Sequence, residues 1–163
     1  MTPTRFAIGA FLCVFGCFAN AQVSTFSPEG CEFAVDFPQG YEIRDVHVEG
    51  RIGKLAMSKP YSWGQLSAEC WQSKQPANTS KFAKGLEDEV RASGFTPISV
   101  TSRQGKYGPA VLLLASSVIQ GKKYNLSYEI HFGKSSRMEA KVVQVEFMGV
   151  QQGELFRKSV RIK

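Results

Sequence analysis

From Tyr124 to Phe132 apolar and polar residues alternate without a miss, Tyr124, Leu126, Tyr128, Ile130 and Phe132 against Asn125, Ser127, Glu129 and His131. A period of two is that of a strand with one buried face, and this one reads as the middle of a sheet. The apolar run Val111 to Ile119 precedes it across Gln120-Gly121-Lys122-Lys123, and Gly133-Lys134-Ser135-Ser136-Arg137 leads on to Met138 to Met148. Both joints are short and contain glycine, so the three runs predict an antiparallel meander. Earlier, Cys31, Phe33, Val35 and Phe37 share one face of a strand, and Leu66, Ala68 and Cys70 one face of another. Between them lie extended pieces around Tyr41 to Val48 and Ile52 to Met57, with the phase slipping near Arg44-Asp45 as a bulge would make it.

The period changes once in the middle of the chain. Gln72 to Thr79, with Pro76, reads as a loop; then Phe82, Ala83, Leu86 and Val90 fall on one helical face. Thr79 or Ser80 caps the start of that helix, Gly94 supplies a left-handed exit and Pro97 blocks continuation. Gly85 inside it suggests close packing on the sheet. Alternation returns over Thr96 to Arg103 with Ile98 and Val100 inward. A short closing helix over Gln151 to Lys158 would bury Leu155 and Phe156, followed by an extended Ser159 to Ile162. The fold class expected is α+β: an antiparallel sheet with a C-terminal three-stranded meander, one main amphipathic helix and a short C-terminal helix packed on it, both on one face.

The first residues do not belong to that domain. Arg5 precedes the apolar run Phe6 to Phe18, and Ala19-Asn20-Ala21 offers the small residues that a signal peptidase reads. Residues 1–21 are therefore expected to be a signal peptide cleaved before Gln22, with 22–163 a single domain in the periplasm or outside the cell. The alternative is lipoprotein processing at Cys17, after Val14-Phe15-Gly16. The apolar run is shorter than the roughly 20 residues of a spanning helix, and no later run approaches that length. Cleavage leaves Cys31 and Cys70, both facing the core of a domain in an oxidising compartment, and they are expected to form a disulfide.

Charge divides the chain. Residues 22–90 hold 7 basic and 10 acidic side chains, residues 91–163 hold 12 and 4. Alternate connections of a meander lie at one end of the sheet, so Arg103, Lys106, Lys134 and Arg137 are expected to gather there with Tyr107 among them, and Lys122 and Lys123 at the other end. Such a group raises the on-rate for an anionic partner. Trp63 and Trp71 are candidate protein contacts, Trp71 because it lies opposite the Cys70 face. The catalytic inventory is thin. His47 and His131 are the two histidines, His131 on the polar and solvated face of the central strand. Nucleophile elbows, phosphate-binding loops and histidine pairs at metal spacing are missing from the sequence. No enzyme activity, cofactor or metal is expected, nor a nucleic-acid partner.

Phe33-Ala34-Val35-Asp36-Phe37-Pro38, an amphipathic helix ending at Ser93-Gly94-Phe95, and the closing Phe156-Arg157-Lys158-Ser159 resemble the marks of PsbP-like α+β domains over most of the mature chain. That resemblance implies a fold and a non-catalytic role, and it carries no functional residue across. The function expected is an exported, non-catalytic binding or accessory protein of the cell envelope that contacts an anionic surface or a protein complex. The alternative is a small exported inhibitor or immunity-type protein that blocks one partner enzyme.

Overall fold

The structure, a computed structural model, describes residues 23–48, 51–73 and 78–163. The expected leader, the alternative anchor Cys17 and residues 74–77 of the expected loop lie outside them. In chain order the elements are β1 (Ser24–Phe26), β2 (Phe33–Phe37), β3 (Glu42–Val48), β4 (Arg51–Met57), β5 (Gly64–Gln72), α1 (Thr79–Ala92), β6 (Thr96–Gly105), β7 (Gly108–Ile119), β8 (Lys122–Phe132), β9 (Ser136–Val145), α2 (Val150–Lys158) and β10 (Arg161–Ile162). Seven strands form one antiparallel sheet in the order β3-β4-β5-β9-β8-β7-β6, and β1, β2 and β10 form a second, with β2 in its middle.

The meander read from the sequence is the β7-β8-β9 part of the large sheet. Register sets what each face carries: Leu113 lies opposite Tyr128 and Val111 opposite Ile130, so the apolar positions of β7 and β8 make one continuous surface. Helix α1 lays Ala83, Leu86 and Val90 on it, with Phe82 edge-on to Phe132 at 5.0 Å. On the opposite face, Leu66, Ala68 and Cys70 of β5 and Met138, Ala140 and Val142 of β9 meet Phe33, Val35 and Phe37 of β2 and Phe156 of α2. Phe37 and Phe156 pack at 4.9 Å between centroids. Each such burial contributes on the order of 1.5–3 kcal/mol. The Cys31–Cys70 disulfide joins the segment before β2 to β5 and so ties the small sheet to the large one.

The two helices therefore lie on opposite faces, not one. The large sheet is amphipathic in both senses: its β6-β8 half is apolar towards α1, and its β5-β9 half is apolar towards α2 and β2. Several local expectations change for definite reasons. Asn78, not Thr79 or Ser80, caps α1: its Oδ1 accepts from the Lys81 N–H at 2.9 Å. Gly94 leaves the helix at φ +83° as expected, but Gly85 is exposed and not packed on the sheet. β3 pairs with β4 without a register shift at Arg44-Asp45; the apparent slip reflects an edge strand exposed along almost its whole length. A bulge between Pro97 and Ser99 turns Ile98 outward, 66% exposed, while Val100 stays under α1. In α2, Phe156 is buried but Leu155 is 61% exposed, because Gly153 and Phe156 form the face held against the sheet.

Candidate functional site

The β6-β7 and β8-β9 hairpins do share one end of the sheet, as their antiparallel order requires. Arg103 and Arg137, however, point from opposite faces of it, since Arg103 aligns with Ala110 and His131, and Arg137 with Phe132. Each is engaged with a buried carboxylate. On the α2 face, the Arg103 guanidinium donates to Glu129, whose second oxygen lies 3.6 Å from Nη1 of Arg157. His131 sits beside them with Nε2 3.4 Å from Glu129, and Phe33 packs on its ring at 6.2 Å. Burial lowers the imidazole's pKa against the pull of Glu129, so it is neutral near pH 7, and Nε2 has no hydrogen-bond partner. The solvated histidine of the sequence reading is thus a largely buried one, its side chain 12% exposed.

On the α1 face, Arg137 Nε donates to Glu139 at 2.8 Å, the Tyr128 hydroxyl donates to the same carboxylate, and Lys141 lies 3.8 Å away. Burial raises the pKa of Glu139, with Arg137 and Lys141 opposing it, and burial pushes Tyr128 well above the usual phenol range. Trp71 closes this cluster and is not an exposed contact. It is 6% exposed, its Nε1 donates to Glu69 at 3.2 Å, and the Arg137 guanidinium lies 5.9 Å from its ring. The ring rests on Gly53, where any Cβ would overlap it. Of the four expected basic residues, Lys106 and Lys134 remain at exposed loop tips, Lys106 over the Tyr107 ring at 5.1 Å. Both buried acids have charged partners, Glu129 two arginines and Glu139 an arginine and a lysine.

The opposite end of the sheet is different in kind. The β7-β8 turn is tight, with Gln120 and Gly121 at φ +50° and +75°, and it leaves Val118 and Ile119 exposed beside Lys122. The chain leaving β9 is fastened to that hairpin by the Glu146 N–H, which donates to the Lys123 carbonyl at 2.9 Å, and by a Lys123–Glu146 ion pair. Phe147 follows. It is 87% exposed and holds φ +63°, a left-handed backbone that costs a bulky side chain about 1–2 kcal/mol. Met148 and Val150 are exposed next to it. Beneath the loop, Trp63 stacks on Tyr61 at 4.7 Å and 4°, and Gly149, at φ +66°, lies so close that a Cβ there would enter the Trp63 ring. The Trp63 carbonyl also accepts from Val145 N–H at 2.8 Å, so the stack holds the loop in place. At the same end, α1 finishes at Ala92 with Arg91 in its last turn, and beyond it the Gly94 carbonyl accepts from the Ser117 hydroxyl at 2.8 Å.

Sequence reasoning places Lys122 and Lys123 at this end and names Trp63 only as a candidate contact, and it misses the exposed apolar group around them. Met148 was read as the end of a strand, whereas β9 stops at Val145; Gly149 was the one signal of a turn there. Elsewhere, a cleft of about 500 Å³ lies beside the disulfide between Gly30, Gly53 and Lys54, and one of about 330 Å³ between α2 and β6-β8, around Leu114, Ser127 and Arg157. Among the described residues no group of three or more His, Cys, Asp or Glu could hold a metal ion, and none of their helices is long and apolar enough to cross a membrane.

No protein-family model and no curated protein matches the chain. Among solved structures it is similar to the solution structure of cyanobacterial PsbP (CyanoP) from Synechocystis sp. PCC 6803, with a TM-score of 0.59 and 13% identity over 93% of this chain and 99% of that one. A crystal structure from Bacteroides thetaiotaomicron VPI-5482 gives a TM-score of 0.48 at 14% identity, over 85% of this chain and 48% of that one. The first likeness bears out the resemblance seen in the sequence: the chain has a PsbP-like fold.

Proposed function

We propose that this protein is an exported, non-catalytic binding protein of the cell envelope that docks on another envelope component through the end of the sheet around Phe147. The observation that carries the reading is the exposure of Val118, Ile119, Phe147, Met148 and Val150 at one end of the fold, on turns held by backbone hydrogen bonds and by the Tyr61–Trp63 stack. A large aromatic held in solvent on a strained backbone is a cost to folding that a contact would justify. The apolar leader supports export, and the Cys31–Cys70 bridge suits an oxidising compartment. A non-catalytic role is supported by the ion pairing of both buried carboxylates, Glu129 with Arg103 and Arg157 and Glu139 with Arg137 and Lys141. The hairpin-tip end is the lesser candidate, since Arg103 and Arg137 are taken by Glu129 and Glu139.

The test is retention of the purified exported protein by an envelope fraction on sedimentation. Phe147→Gly removes the aromatic and relieves the backbone, and its urea midpoint, expected to rise, separates lost binding from lost folding. It is expected to lower retention about tenfold, the scale of a single interface anchor, whereas Lys106→Ser with Lys134→Ser leaves it unchanged. Equal retention of Phe147→Gly and the parent protein would overturn the reading.

A further inference from the structure

We infer that the envelope component met by the Phe147 end is an anionic lipid surface, into whose headgroup region the two turns insert. This rests on the docking reading above and names its partner. Two features at that end point to lipid, the apolar turn tips and the basic side chains beside them. Its apolar side chains stand on two separate turn tips, Val118 and Ile119 beside one, Phe147 and Met148 on the other, with Phe147 almost fully in solvent. Protruding side chains of this kind enter a soft interface without a complementary pocket, and they bury apolar surface to a depth of about 5–10 Å.

Behind them, Tyr61 and Trp63 lie stacked at 4.7 Å and packed against the core, a firm base under the Phe147 turn. Three basic side chains lie at that end, Arg91, Lys122 and Lys123, with the acidic Glu146 beside Lys123 and the exposed Asp88 and Glu89 further back on α1. Lys123 is balanced by Glu146, but Lys122 and Arg91 are exposed with no acidic partner among the described residues. Basic residues next to an apolar tip give a surface that distinguishes anionic from zwitterionic lipid, with an attraction that salt screens. The chain as a whole agrees in sign, at a formal +6. Membrane contact here is peripheral and shallow, made by turns and not by a span.

The experiment uses the purified exported protein, checked by mass spectrometry to carry no acyl group, and sedimentation with phosphatidylcholine vesicles with or without phosphatidylglycerol. Binding is expected to the anionic vesicles, weaker at high salt. Phe147→Gly should lower it about tenfold, and Arg91→Ser with Lys122→Ser should lower it by tenfold or more while leaving only the weak affinity for phosphatidylcholine. A parent protein that ignores anionic vesicles, or binds them equally well as Phe147→Gly, overturns the lipid assignment. Retention by envelope that still depends on Phe147, but is destroyed when the envelope is treated with protease, also overturns it and leaves a protein partner in its place. Retention that never depended on Phe147 removes the docking reading itself.

Discussion

His131 and Phe147 are the two residues whose placement runs against their chemistry, and each makes a prediction. His131 has a native pKa below its ordinary 6.5, because burial disfavours the cation more than Glu129 favours it. Above that ordinary value the imidazole is neutral in both folded and unfolded chains and contributes nothing. Below it, the unfolded chain takes up a proton that the native one does not, so stability falls as pH drops from about 6.5 towards the lower native value, by at most about 1.4 kcal/mol per pH unit. His131→Phe should flatten that slope; urea midpoints at pH 7.5 and 5.5 for both proteins check it, and parallel slopes would contradict it. Phe147 carries the opposite kind of strain, in its backbone. Phe147→Gly should raise the urea midpoint by the equivalent of about 1 kcal/mol, since glycine adopts φ +63° without steric cost. A lower midpoint would mean that Phe147 packs in the folded state more than its exposure shows. Neither feature was legible in the sequence. An alternating histidine looks solvated whenever the second sheet that covers its face is unknown, and an aromatic at the end of a strand pattern looks buried until the turn is placed.

Helix α1 shows what local pattern does specify. Its 3.6-residue period survives in the structure because one apolar stripe, Ala83, Leu86 and Val90, meets one apolar face of β7 and β8. Its interior and start are less well optimised, and both can be moved. A Cβ at Gly85 meets nothing within 4 Å, so Gly85→Ala should stabilise by up to about 1 kcal/mol. Asn78→Ala should cost about 1 kcal/mol by removing the acceptor for the Lys81 N–H. Thermal or urea unfolding of the two variants and their combination checks both, with near-additive effects expected because cap and interior are separate. The strands were legible in proportion to how one-sided they are. β8 is apolar on one face and was read residue by residue, whereas β3 is exposed on both, so its residues carry no alternation and suggested a bulge that is not there. Ile98 failed for the converse reason: a real bulge reverses its side, and one extra residue in a strand leaves no compositional mark.

At the scale of the molecule, the α+β class, the meander and the disulfide were all readable, because each follows from periodicity or from the inward placement of Cys31 and Cys70. Which face each helix covers was not, since α1 and α2 are each amphipathic and either face of the large sheet has an apolar half to offer. The disulfide is the covalent link between those layers, and its removal should show how independent they are. Cys31 and Cys70 close a loop of 39 residues, for which the chain-entropy model gives roughly 4 kcal/mol. Cys31→Ala with Cys70→Ala should lose about that much in urea unfolding. The loss should not be spread evenly. β7, β8 and β9 are held to one another by long antiparallel ladders and covered in part by α1, whereas β2 reaches the large sheet through Phe33, Val35, Phe37, the bridge, and Glu32 just before it, whose carboxylate accepts from the Ser135 and Ser136 N–H groups at 2.7 and 2.9 Å. Without the bridge, amides of β1 and β2 should exchange faster by local opening, while those of β7 and β8 exchange only with global unfolding. Uniform acceleration would mean that the aromatic packing of Phe37 on Phe156 already joins the layers into one cooperative unit. In that case the disulfide would act on the unfolded chain alone, and the small sheet would need no covalent tie to stay in place.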